Sequence, residues 1–217
     1  MPRKKLKRFA QLGSFPNLHL PGEAHDPHWF RPYFPREAPL TLELACGWGE
    51  YAIALAQRFP QRNFVGVDAK GERLWKAAKT ALELGLTNVV FLKTDIEYLA
   101  ERFPPRSVEE IWLTFPDPHP KRKKAKHRLT SPRFLPIYKA LLQRGGKVHL
   151  KTDDEGLFRY TQETVPSEGG RVLVAHEDLY ALAEIDELLR VQTKYERRHL
   201  AEGRTIKYLC FVLEPEG

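Results

Sequence analysis

Between Pro39 and Asp153 the chain repeats a single pattern: a short apolar run, a turn, then a longer stretch with apolar residues at helical spacing. The apolar runs are Leu40 to Ala45 (LTLELA), Asn63 to Val67 (NFVGV), Val89 to Leu92, Glu110 to Thr114 (EIWLT) and Lys147 to Lys151 (KVHLK). Helical spacing spans Tyr51 to Phe59 and Glu72 to Leu84, where Leu74, Ala78, Ala81 and Leu82 share a face and Gly85 stands at a C-cap position. Ser131 and Pro132 read as the N-cap and first turn of a helix reaching about Gln143, and Ala183 to Val191 carries a further helical pattern. Ile206 to Leu213 reads as a final core strand. Strands alternating with helices in this way predict an α/β fold, a doubly wound and mostly parallel sheet with helices on both faces.

Such sheets bind ligands at the carboxyl ends of their strands. Five successive strands of this chain deliver an acid there: Glu43, Asp68, Asp95, Asp117 and Asp153. The first strand also ends in a glycine turn, Gly47-Trp48-Gly49, with Asp68 following some twenty residues on, the spacing of a dinucleotide-binding fingerprint. Tight strand-to-helix turns use glycine for steric reasons as well, so nicotinamide dinucleotide and S-adenosylmethionine are both open on the turn alone. Two acids favour S-adenosylmethionine. Glu43 lies within the strand end, where a carboxylate suits an amino-acid-bearing cofactor better than a pyrophosphate, and Asp95 can accept from an adenine amino group.

The fourth strand runs into Phe115 to Arg128 (FPDPHPKRKKAKHR). Asp117 is boxed between Pro116 and Pro118, and Pro120 follows, so the loop is stiff and extended. Six of the eight residues from Lys121 to Arg128 are Lys or Arg, the densest positive charge in a chain of formal net charge +7. A rigid acid beside a basic tract points to a reaction centre next to a surface for a polyanion. The 217 residues suffice for one core. We expect one domain over 39–217, preceded over 1–38 by an arm with a basic head (Arg3, Lys4, Lys5, Lys7, Arg8) and aromatic anchors. Cys46 and Cys210 are the only cysteines, which fits a reducing cytoplasm and argues against a disulfide framework. No His, Cys and acid spacing fits a zinc site, so no metal is expected. The apolar runs fall short of the ~20 residues that span a bilayer, and the basic head lacks the apolar segment of a secretory signal. Trp48, Trp75 and Trp112 read as core or pocket wall.

The E/D-x-G-x-G-x-G motif of class I methyltransferases resembles Glu43, Ala45, Gly47 and Gly49, with Ala45 in place of the first glycine. Within that superfamily the chain resembles the bacterial tRNA (guanine-N7-)-methyltransferases from about Leu40 to Phe211. The resemblance rests on FPDPHPK (Phe115 to Lys121), the basic tract, HLKTD (His149 to Asp153) and TKYE (Thr193 to Glu196). His119 stands where the family commonly has Trp. The resemblance implies a seven-stranded sheet with an antiparallel last strand, S-adenosylmethionine as cofactor and tRNA as partner, in a monomer or a homodimer. It implies that Glu43, Gly47, Gly49, Asp68, Asp95 and Asp117 bind the cofactor and that Asp117 is catalytic. Lys121, Asp153, Thr193, Lys194, Tyr195 and Glu196 would then contact the guanine substrate, and Lys123, Lys124, Lys126, His127 and Arg128 the RNA backbone.

The chemistry agrees with those residue types. Guanine N7 carries a free lone pair, so methyl transfer from a sulfonium removes no proton from N7. The site needs alignment and negative potential, which makes Asp117 an orienter and electrostatic stabiliser. The expected reaction forms N7-methylguanosine in the variable loop of tRNA. Open alternatives are a class I methyltransferase acting on another RNA, a non-catalytic RNA-binding module on this scaffold and, third, a nicotinamide dehydrogenase.

Overall fold

The computed structural model describes residues 8, 10–22 and 26–213. Of the basic head, Arg3, Lys4, Lys5 and Lys7 lie outside the described residues. Two compact units divide the chain, Met1–Pro104 and Pro105–Gly217.

The first unit holds β1 (Leu18–His19), β2 (Leu40–Leu44), α1 (Glu50–Arg58), β3 (Asn63–Asp68), α2 (Gly71–Glu83), β4 (Val89–Lys93) and α3 (Leu99–Arg102). Its strands run in the order β1-β4-β3-β2 and all pair in parallel. Every residue of β2 and β3 is buried, as strands covered by helices on both faces must be. Helix α1 buries Tyr51, Ala52, Leu55 and Ala56, and α2 buries Leu74, Ala77, Ala78 and Ala81. Gly85 adopts φ +67° one residue beyond the α2 C-cap, and its amide donates to the Leu82 carbonyl. Before β2, Trp29 and Phe30 are buried against Phe103, and the Trp29 Nε1–H donates to the Arg102 carbonyl.

The second unit holds β5 (Val108–Thr114), α4 (Leu135–Leu141), β6 (Leu142–Thr152), α5 (Glu155–Ser167), β7 (Arg171–His176), α6 (Lys194–Ala201) and β8 (Lys207–Val212), ordered β5-β6-β8-β7. β5 and β6 are parallel, whereas β8 is antiparallel to both β6 and β7. The mostly parallel sheet with an antiparallel last strand is therefore present, with eight strands among the described residues where seven were expected.

Three local expectations need correction. β1 escaped the pattern because two residues between Pro16 and Pro21 show no periodicity; it is fixed by tertiary bonds, Phe91 N–H to the Asn17 carbonyl and Asn17 Nδ2 to the Ala78 carbonyl. Ser131 does not cap a helix. α4 begins at Leu135 with Pro136 in its first turn, because a helix starting at Pro132 would leave Pro136 inside it without an N–H to donate. Ala183 to Val191 is not a helix either: the carbonyls of Leu189 and Val191 are taken by a buried lysine, and the Asp186 carboxylate takes the Leu188 amide.

Candidate active site

The glycine turn leaves β2 with three left-handed residues, Ala45 (φ 54°), Gly47 (φ 58°) and Gly49 (φ 66°). It is held from both sides. The Cys46 amide donates to the Val67 carbonyl at 2.9 Å, and the Gly47 amide donates to Oδ2 of Asp68 at 2.9 Å. Asp68 is buried at the end of β3; its Oδ1 accepts from the Lys70 amide at 2.7 Å, and Arg73 lies 3.9 Å from Oδ2. Glu43 is buried in β2, and its Oε2 accepts from the Ala52 amide in the first turn of α1 at 2.9 Å. A carboxylate at that position satisfies an orphan helical donor and complements the helix dipole. Two of the expected cofactor acids thus also brace the turn, whereas Asp95, just past β4, is exposed.

Gly49 sits tightly over β4. A Cβ there would come within 2.6 Å of Phe91 Cε1 and 2.9 Å of Ala77 Cβ. At Gly47 the nearest atom to such a Cβ is Arg73 Nη1 at 4.0 Å, so this part of the turn is open. Trp48, between the two glycines, is 40% exposed with Lys76 Nζ 5.2 Å from its ring centroid, and Trp112 alone of the three tryptophans is in the core. Gly49→Ala is expected to cost clearly more than the ~1–2 kcal/mol of a left-handed backbone, and Gly47→Ala only that backbone part. Thermal unfolding of the two variants checks this; equal losses would remove Phe91 from the account.

In the second unit the loop after β5 starts from a left-handed Phe115 (φ 50°) whose amide donates to the Lys151 carbonyl at 2.8 Å. A second left-handed residue, His119 (φ 43°), turns the chain after Pro118. Arg128 closes the loop: Nε donates to the Pro118 carbonyl at 3.0 Å, Nη2 to the His119 carbonyl at 3.1 Å, and the guanidinium lies 4.3 Å from the Tyr160 ring centroid. This arginine, expected on the RNA, is thereby built into the loop itself. Asp117 is exposed on the loop, and so are Lys121, Lys123, Lys124 and Lys126. The short 3-10 helix Arg122–His127 carries the tract. Desolvation and then the ammonium groups of Lys124 and Lys126 hold the His127 imidazole below its ordinary pKa.

The remaining substrate residues gather around the end of β6. Thr193 caps α6 by accepting the Glu196 amide at 3.1 Å, which leaves Lys194 and Tyr195 exposed. Glu196 points inward. It is fully buried, its Oε1 lies 2.6 Å from Lys151 Nζ, and it accepts from the Tyr180 hydroxyl at 2.8 Å. Lys151 Nζ also donates to the carbonyls of Leu189 and Val191, at 3.0 and 3.1 Å, so its three protons meet three acceptors. Burial lowers the pKa of Lys151 and the Glu196 carboxylate opposes that shift. Asp153 follows β6 with its Oδ2 2.8 Å from Arg204 Nη1 and 3.5 Å from His199 Nδ1, and the His199 ring stacks on Phe115 at 5.7 Å.

Comparison with known proteins identifies the chain. A family profile described as "putative methyltransferase" matches residues 37–209. A tRNA (guanine-N(7)-)-methyltransferase of Christiangramia forsetii is 41% identical over 221 residues, 98% of this chain and 99% of the relative. One from Porphyromonas gingivalis is 46% identical over 190 residues, 87% of this chain and 77% of the relative. The chain belongs to the tRNA (guanine-N(7)-)-methyltransferase family. Solved methyltransferase structures share the fold: the 16S rRNA methyltransferase KamB superposes with a TM-score of 0.67 at 16% identity, over 89% of this chain and 96% of that one. A SAM-dependent methyltransferase from Aquifex aeolicus gives 0.56 at 16% identity, over 97% of both.

For this family member, sequence reading missed Lys151, Tyr180, His199 and Arg204. Lys151 did leave a trace, as a charged residue at an apolar strand's end within HLKTD. Tyr180, His199 and Arg204 belong to no motif and become visible only by their contacts.

Proposed function

We propose that the protein transfers a methyl group from S-adenosylmethionine to N7 of a guanine in the variable loop of tRNA, in the cytoplasm. The observation that carries this reading is the loop of the second unit, where an exposed acid held between prolines is followed by four exposed lysines and clamped by Arg128. The relatives of similar length, which bear the name of that activity, support it. The residues of the first unit suit the cofactor. Gly47 offers open backbone, and the acids Glu43, Asp68 and Asp95 fall at the ends of β2, β3 and β4. When bound, S-adenosylmethionine supplies an electrophilic methyl group on its sulfonium.

Asp117 and Asp153 act on the base. Their carboxylates accept from guanine N1–H and the 2-amino group, fixing the ring while N7 presents its lone pair. As the purine becomes cationic those protons grow more acidic and the bonds strengthen, so the stabilisation is largest in the transition state. No side chain has to remove a proton from N7. Lys194 and Tyr195 lie exposed at the start of α6 and contact the nucleotide, while Glu196 holds that turn in place from below. Swinging the guanine out of the folded tRNA costs a few kcal/mol. Phosphate contacts from Lys121, Lys123, Lys124, Lys126 and His127 offset it without reading sequence.

The test is incubation of the enzyme with labelled S-adenosylmethionine and unmodified tRNA, followed by nucleoside analysis. N7-methylguanosine is expected; another methylated nucleoside, or tRNA binding without transfer, overturns the reading. The tract has its own signature. The double variant Lys123→Glu, Lys124→Glu is expected to weaken tRNA binding and to lower the slope of log affinity against log salt by about one per lost contact. Its kcat at saturating tRNA stays near that of the wild type. An unchanged salt slope would take the tract off the RNA.

A further inference from the structure

The two oxygens of Asp153 have different surroundings. Oδ2 receives Arg204 Nη1 at 2.8 Å and lies 3.5 Å from His199 Nδ1, whereas Oδ1 has no partner among the described residues. Arg204 is itself held. Its Nε lies 3.2 Å from Oε2 of Glu202, whose other oxygen takes Arg198 Nε at 2.8 Å. His199 is anchored by its ring against Phe115, the first residue of the acid loop, and the Asp153 carbonyl lies 3.5 Å from Lys207 Nζ. The end of β6 and the chain at and just beyond the last turn of α6 therefore meet at one carboxylate, and the start of the loop packs on the His199 ring beside it.

An isolated carboxylate turns about its terminal torsion, and its two oxygens are equivalent. A charged donor fixed on one oxygen breaks that equivalence and sets the plane of the group. The other oxygen is then a preorganised acceptor, which base recognition needs and a freely turning carboxylate does not supply. We propose that Arg204 is a positioning residue for guanine recognition: its guanidinium holds Oδ2 of Asp153, with the His199 ring packed beside the same oxygen, and leaves Oδ1 as the acceptor offered to the amino edge of the base. This inference rests on the reading of the site as a guanine N7 methyltransferase, and neither residue belongs to the motifs that identify the family.

The test uses the full chain and two tRNA transcripts that differ only at the methylated position, guanosine in one and inosine, which lacks the 2-amino group, in the other. Methyl incorporation at N7 is measured for the wild type, Arg204→Met, Arg204→Lys, His199→Phe, Asp153→Asn and the pair Arg204→Met with Asp153→Asn. The wild type is expected to prefer guanosine about tenfold or more in kcat/KM. Arg204→Met reduces that preference to about twofold through kcat with the guanosine substrate, while KM for tRNA stays near the wild-type value. Arg204→Lys restores part of it. His199→Phe, which keeps the ring against Phe115, gives a smaller loss in the same direction. On the Asp153→Asn background Arg204→Met has little further effect, because the group it positions is already altered. Arg204 is half exposed, so its substitutions are expected to leave the fold intact, and unfolding temperatures of all the variants check this. The proposal is overturned if Arg204→Met lowers both substrates equally, or if its effect multiplies fully with that of Asp153→Asn. Absence of N7-methylguanosine from the wild type would instead remove the functional reading on which it stands.

Discussion

Asp117→Ala is expected to lower kcat for N7-methylguanosine formation by about 10²–10³-fold, the loss found when one preorganised group facing developing charge is deleted. Two features isolate the effect to the chemistry. The carboxylate is exposed, so its removal opens no cavity and strands no buried partner. The loop that carries it is held by other groups, the Phe115 amide on Lys151 and the Arg128 fork on Pro118 and His119. The unfolding temperature and the affinity for tRNA should therefore stay near wild-type values. Asp117→Asn keeps an acceptor but loses the charge and is expected to fall between the two. Single-turnover methyl transfer at saturating tRNA decides the matter: a rate for Asp117→Ala within tenfold of the wild type would take the catalytic role away from this residue.

Glu196→Gln is expected to produce the largest loss of stability, about 3–5 kcal/mol, because it leaves Lys151 charged and fully buried without its counterion. Against a total of roughly 5–15 kcal/mol for a typical domain this is severe, and it should appear as a fall of about 10 °C in the unfolding temperature. The pH dependence carries a definite sign. Burial lowers the Lys151 pKa in the folded protein, and the substitution removes the carboxylate that opposes this. The folded variant then binds fewer protons than the unfolded chain. Its deficit shrinks as pH rises through the window between the lowered pKa and the ordinary lysine value. Adding Lys151→Met removes both charges and should return most of the loss. Equal unfolding temperatures for wild type and Glu196→Gln would show that the ion pair does not anchor α6.

Why a TKYE motif needs its glutamate buried could not be read from four letters. The sequence shows an acid two residues after an exposed lysine, and periodicity places it at the polar end of a helix. Its partner Lys151 lies 45 positions earlier in a strand of another register. What the sequence did display were features with local causes. The α1 and α2 boundaries follow from glycine at the caps and apolar spacing, β2 to β6 from apolar runs, and the stiffness of the Asp117 loop from three prolines. Expectations failed where tertiary contacts overrode local preference. The segment 183–191 has helical spacing but yields the carbonyls of Leu189 and Val191 to Lys151, and the two residues of β1 gain their conformation from pairing with β4 and the Asn17 bond to α2. The strand-end acids were legible as a set because their position follows from topology. Which of them also brace the turn was not, since the Glu43 bond to Ala52 and the Asp68 bond to Gly47 depend on side-chain direction.

The ring of Phe91 lies under the backbone of two glycines, Gly49 in the turn and Gly66 in β3, where an added Cβ would come within 2.6 and 2.7 Å of it. It acts as a spacer whose thickness sets how far the turn stands above the strands. Relatives that drift to alanine at position 66 would then have to carry a thinner side chain at 91, so the two positions should change together over evolutionary time. Gly49 has less freedom, since its left-handed backbone still penalises the exchange by ~1–2 kcal/mol after the ring has shrunk. The height of the glycine turn is in this way inherited through a buried ring that lies outside the turn itself.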